Sequence, residues 1–169
     1  MANITVDEVR KLLITKSIEH SNNMDFSGLD LSGLDFSGLT IVSANFSNTR
    51  CIKTKFVKTY LSKCNFQGAN LTEADMTTAN LKEADLSRAT LENTTLSRAN
   101  LSKANLAGAR CIKASMTFAN LNGCDLSRAN LTSATFHGAD LTKANLTSAT
   151  TREANFKNAK FIGTIGYKP

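Results

Sequence analysis

The sequence predicts an all-β solenoid, a chain of short extended segments joined by corners and wound into a coil. Three observations carry that expectation. The first is a register of five: apolar centres run from Phe26, Leu31 and Phe36 in unbroken steps to Phe156 and Phe161, 28 positions in all. Fourteen are Leu and eight are Phe, and the rest are Ile41, Met76, Met116, Cys51, Cys111 and Thr151. The second is the residue two before each centre, which is Ala at 18 of the 28 positions and Leu, Met, Thr or Cys at the others. The third is an absence: no charged residue occupies either position, so these two positions mark the interior. Neither regular structure has this period. A five-residue step turns an α-helix by roughly 140°, which scatters the centres around the cylinder. A continuous strand would place successive centres on opposite faces. Extended backbone does put Ala and the centre, two apart, on one side, and the three residues before the next Ala leave room for a corner. Segments and corners of this kind wind into a solenoid.

Asp or Asn precedes the centre in 17 of 28 cases, and Ser, Thr, Gly, Lys and Arg crowd the two positions after it. In this form, as in Arg98-Ala99-Asn100-Leu101-Ser102 and Lys103-Ala104-Asn105-Leu106-Ala107, the chain closely resembles the pentapeptide-repeat family, whose motif reads A-(D/N)-L-X-X. The resemblance covers roughly residues 24–163. It implies a right-handed quadrilateral parallel β-helix with four repeats per coil. On that mapping the chain makes about seven coils, a rod of roughly 34 Å at about 4.8 Å per coil. Residues twenty apart then stack, so Phe26, Phe46 and Phe66 form one ladder and Phe36 and Phe56 another. Leu29, Leu34 and Leu39 thicken the N-terminal coils. Thr151, the one polar centre, is expected to weaken the penultimate coil.

Residues 1–23 precede the register and are expected to form a short N-terminal helical cap. Thr5 and Glu8 have the spacing of a capping box, Ile4 and Val9 occupy the staple positions, and Val9, Leu12 and Leu13 supply an apolar face. Such a helix would cover the unpaired edge of the first coil; a targeting or export element is the alternative. Residues 24–163 form the β-helix. Residues 164–169 are a tail too short for a helix, and family members that dimerise through a C-terminal helical extension differ from this chain there. Phe161, Ile162, Ile165 and Tyr167 cluster at that end, so a monomer or a weak dimer through it is expected.

Composition narrows the function. The chain of 169 residues has one Pro, no Trp, and no apolar run long enough to cross a membrane. It lacks the apolar core of a secretory signal, so a cytoplasmic location is expected, with export as an effector the alternative. The four Cys, at 51, 64, 111 and 124, all fall on interior positions and read as small buried hydrophobes. No metal site, cofactor or catalytic residue is expected. There is no C-x-x-C, His20 and His137 are far apart in sequence, and the Ser, Thr, Asp and Glu fill outward slots without a His–acid pair to activate them.

What remains is binding. Some family members resemble a DNA duplex in size and negative charge, bind type II topoisomerases and protect them from quinolones. This chain departs from that pattern, with 20 Lys and Arg against 14 acids, a net charge of +6 and a pI near 9.3. Its positive charge concentrates at Arg50, Lys53, Lys55, Lys58 and Lys63, and R-C-I-K recurs at Arg110-Cys111-Ile112-Lys113. Three coils apart on one side, Arg50/Lys53 and Arg110/Lys113 would stand about 14 Å from each other. Ile52, Val57, Tyr60 and Ile112 lie outward beside them. The expected site is therefore Arg50, Ile52, Lys53, Lys55, Val57, Lys58, Tyr60, Arg110, Ile112 and Lys113, a basic solenoid side with apolar residues for an acidic protein partner. An anionic membrane surface is the weaker candidate, and nucleic acid is disfavoured because aromatic interleaving is nearly absent. The leading reading is a non-catalytic rigid interaction module, a bacterial effector or accessory protein. The alternative is a topoisomerase (DNA gyrase)-directed protection or inhibitory factor of the DNA-mimic type.

Overall fold

A computed structural model describes residues 4–15 and 23–167; His20 lies outside the described residues. From Asp25 onward the residue before each centre forms a parallel bridge with the residue one coil up, Asp25 to Asn45, Asn45 to Asn65, and so on to Asn145 with Ile165. Four such stations make one coil. The chain is a right-handed quadrilateral β-helix, and its four columns of centres define four faces. The first face runs from Phe26 to Leu146, the second from Leu31 to Thr151, the third from Phe36 to Phe156 and the fourth from Ile41 to Phe161.

Backbone accounting explains the repeat. The centre donates up the rod (Leu101 N–H to the Asn120 carbonyl, 2.7 Å), and so does the second residue after it (Lys103 to Asn122, 2.9 Å). The residue before the centre donates down (Asn100 to Ala79, 2.9 Å), and the next interior residue closes the corner (Ala104 to Leu101, 3.0 Å). Only the first residue after the centre lacks a backbone acceptor. The Asp or Asn supplies it: each of the 17 places a side-chain oxygen about 3 Å from the N–H two residues on. The third residue of every corner is left-handed, with φ from 54° at Asn48 and Asn93 to 76° at Gly38, the geometry of a type II turn.

Phe26, Phe46 and Phe66 stack at centroid separations of 4.7 and 4.6 Å, and Phe36 stacks on Phe56 at 5.2 Å. The two ladders meet edge to face across the core, at 5.9–6.2 Å. Thr replaces Ala beside the centres at Thr49, Thr54, Thr59 and Thr94, and each buried hydroxyl donates to a carbonyl, as Thr54 does to Leu31 at 2.9 Å. All four Cys are buried and unpaired with one another. Thr151 belongs to the last coil (residues 144–163), not the penultimate one. It is only half-buried there, so its hydroxyl is not sealed in the core.

Helix α1 (Val6–Ile14) precedes the rod. Its capping box is reciprocal: the Glu8 N–H donates to Thr5 Oγ1 at 3.3 Å and the Thr5 N–H donates to the Glu8 carboxylate at 2.7 Å. The Thr5 N–H and, less strongly, the Thr5 hydroxyl, which donates to the same carboxylate at 2.8 Å, hold the Glu8 carboxyl below its usual range. Val9 is fully buried, and Ile4, Leu12 and Leu13 pack against the core. Arg10, Leu13 and Ile14 face Gly33, Leu34 and Asp35 of the first coil, so α1 lies against the N-terminal end of the rod.

Candidate interaction faces

The structure distributes the ten candidate residues over three faces. Arg50, Ile52 and Lys53 lie on the second face, and the bridges through Asn70 and Thr90 place Arg110, Ile112 and Lys113 in the same columns three coils higher. Lys55, Val57 and Lys58 lie around the corner on the third face, and Tyr60, 53% exposed, lies on the fourth. The two R-C-I-K segments are thus aligned, while the rest of coil two winds away from them.

The second face is largely neutralised. Arg50 pairs with Asp30 one coil below (3.9 Å), Lys53 with Glu73 one coil above (3.5 Å), and Arg110 with Glu92. Ile52 and Ile112 are half-buried among these pairs. On the third face, Lys55 and Lys58 are exposed and form no ion pair within 4.0 Å among the described residues. The two acids of that face are occupied at their own corners. Asp35 accepts from the Ser37 N–H at 2.9 Å, and Asp75 accepts from both the Thr77 N–H and its hydroxyl at 2.9 and 2.6 Å. Hydrogen bonds from the Ser37 side chain and then its backbone hold the Asp35 carboxyl below its ordinary value.

Higher on the same face stands a cluster that the sequence reading missed. Phe118 is at a left-handed corner position (φ 56°) and is 53% exposed. The Arg98 guanidinium lies over that ring at 5.6 Å from its centroid, and the His137 ring meets it edge-on at 5.4 Å. Gly138 sits directly above; a Cβ there would collide with the Phe118 ring. The signal was available: laid out in twenties, Arg98, Phe118 and Gly138 fall in one column.

The faces also differ in how far they keep the corner-capping Asp or Asn. The first face has it at all seven stations, from Asp25 to Asn145. The third face replaces it with Lys55, Thr95, Ser115 and Thr135, and coil two gives it up three times running, at Arg50, Lys55 and Tyr60. Each replacement removes the side-chain acceptor of its own corner N–H; at Ile52 the N–H donates instead to the Ser32 hydroxyl one coil below, at 3.3 Å.

At the C-terminal end Tyr167 stacks on Phe161 at 4.7 Å and tilts against Phe156 at 4.8 Å, while Ile162 and Ile165 are 74% and 57% exposed. Among the described residues no three His, Cys, Asp or Glu side chains converge as metal ligands, and no helix is long and apolar enough to cross a membrane.

The sequence model for pentapeptide repeats matches in eight copies, over residues 44–82, 84–117, 109–147 and 139–165. No curated protein matches the chain. Among solved structures, the chain is similar to HetL, a pentapeptide repeat protein involved in heterocyst differentiation regulation from the cyanobacterium Nostoc sp. strain PCC 7120. The identity is 27%, over 96% of this chain and 93% of that one, with a TM-score of 0.61. It is similar in fold to QnrB1, a plasmid-mediated fluoroquinolone resistance protein, at 18% identity over 88% of this chain and 84% of that one, with a TM-score of 0.59. Register, coil and sequence match agree: this chain belongs to the pentapeptide-repeat family.

Proposed function

We propose that this protein is a non-catalytic docking rod that engages an acidic protein partner through its third face, as a regulatory or accessory factor. One observation carries the reading: Phe118 is an exposed aromatic ring on a left-handed backbone, held between Arg98 and His137. A bulky residue is disfavoured at that backbone geometry and gains little from burial when half its surface faces water. A partner's apolar pocket would supply the missing burial, as central aromatic anchors do at interfaces. Lys55, Val57 and Lys58 extend the same acid-poor face toward the N-terminal end, within the region where the corner caps are abandoned. The likeness to HetL supports a regulatory rather than an enzymatic role. The likeness to QnrB1 is one of fold, and the basic charge argues against duplex mimicry.

Capture of the native partner by immobilised protein tests this. Phe118→Ala, and separately Lys55→Glu with Lys58→Glu, should each lower capture about tenfold or more, with melting little changed because all three side chains are exposed. Gly138→Ala, which pushes the ring aside, should weaken capture as well. Arg50→Glu with Lys53→Glu, on the neutralised second face, should not. Undiminished capture by Phe118→Ala overturns the assignment. Inhibition or protection of gyrase supercoiling by the wild-type protein would favour the topoisomerase reading instead.

A further inference from the structure

Opposite the third face, two identical pentapeptides, Asp85-Leu86-Ser87-Arg88-Ala89 and Asp125-Leu126-Ser127-Arg128-Ala129, stand two coils apart on the first face. Between them lies a coil whose outward residues are Ala107 and Gly108. These small residues lie midway along a groove of about 530 Å³ that runs up the first face from Gln67 past Arg88 and Arg128 to Thr147 and Ser148. The Arg88 stem runs up the rod and reaches within 3.9 Å of where a Gly108 Cβ would stand. A Cβ at 108 would only touch that stem, and the left-handed φ of 67° is what favours glycine there.

The two arginines are free to act on a ligand. Neither forms an ion pair within 4.0 Å among the described residues. The acids of the same pentapeptides are occupied elsewhere: Asp85 accepts from the Ser87 N–H at 2.9 Å, and Asp125 from the Ser127 N–H at 2.9 Å and the Asn145 amide at 3.1 Å.

We infer that this groove binds an acidic α-helix of a partner protein, each arginine taking one carboxylate of a pair seven residues apart. Spacing decides the partner. Two coils set the arginine positions about 9.6 Å apart along the rod. In a helix, residues seven apart share a face and stand about 10.5 Å apart. In a strand, same-face residues lie about 6.8 or 13.6 Å apart, and neither matches. Guanidinium pairs with carboxylates bidentately, which rewards that register.

Fluorescence anisotropy with synthetic peptides tests the inference on the full chain. One Ala- and Gln-rich helical peptide carries two Glu seven residues apart, and a second of equal composition carries them four apart. The first should bind about tenfold or more tighter than the second at low salt. Arg88→Asn and Arg128→Asn keep a residue that tolerates the left-handed corner, so the variants should fold, and each should lose about tenfold in affinity for the first peptide. Phe118→Ala should bind it as wild type does, which separates this groove from the third-face site. Equal binding of the two peptides, no binding of the first, or full affinity in the doubly substituted protein overturns the inference.

Discussion

The corner residues and the cysteines show how sharply this fold separates inside from outside over a single residue. Cys51 is a centre with no exposed surface, and the next residue, Ile52, already reaches solvent. Burial pushes the thiols of Cys51, Cys64 and Cys111 up from 9.0 to about 12, and that of Cys124 well above 9.0. A thiolate is the reactive form, so the native protein should resist a soluble disulfide reagent at neutral pH and release four thiols only when unfolded. The linkage has a definite sign. A thiol held neutral on folding contributes stability that is complete below pH 9.0 and is lost as pH rises toward 12. Melting temperature should therefore fall across that alkaline window, and Cys51→Ser with Cys111→Ser should flatten the decline even though the variant starts lower. Rapid thiol labelling of native protein would show that the coils open.

At the level of one coil, the phenylalanine ladders concentrate packing near the N-terminal end. Phe46 stacks on Phe26 and Phe66 at 4.7 and 4.6 Å and meets Phe36 and Phe56 edge-on. Phe46→Ala should cost about 3–5 kcal/mol through the cavity it leaves. Because coils touch only their neighbours, the damage should stay local. Amide exchange should accelerate in the first three coils, while Leu121, Leu131 and Leu141 remain protected; uniform acceleration would contradict nearest-neighbour coupling. The ladders and the buried cysteines were legible in the sequence because each depends on the residue's place in the period, and the capping box because it depends on the spacing of Thr5 and Glu8 alone. The ion pairs of the second face were not. Lys53 with Glu73 and Arg50 with Asp30 meet only once residues twenty apart are stacked, so a run of basic residues in sequence looked more charged than it is. Phe118 escaped for a related reason: an isolated Phe in a Thr-rich repeat stands out only beside Arg98 and Gly138.

For the whole molecule, the unbroken register makes position along the chain equivalent to height and bearing. Excising residues 64–83, one full coil, should leave a folded protein shorter by about 4.8 Å, with Phe118 still on the side that carries Lys58. Small-angle scattering and retained partner capture would check both. Excising only residues 64–68 should fold too, yet swing everything above by a quarter turn and carry Phe118 round to a different side from Lys58. Partner capture should then fail in a protein that melts normally. The bridges from Asp25 to Ile165 therefore act as the teeth of an indexing gear. Length changes by whole revolutions alter reach and nothing else, while fractional ones scramble the compass. A lineage of such rods can explore new spans between its contacts by gaining or losing twenty residues at a time, without redesigning a single contact.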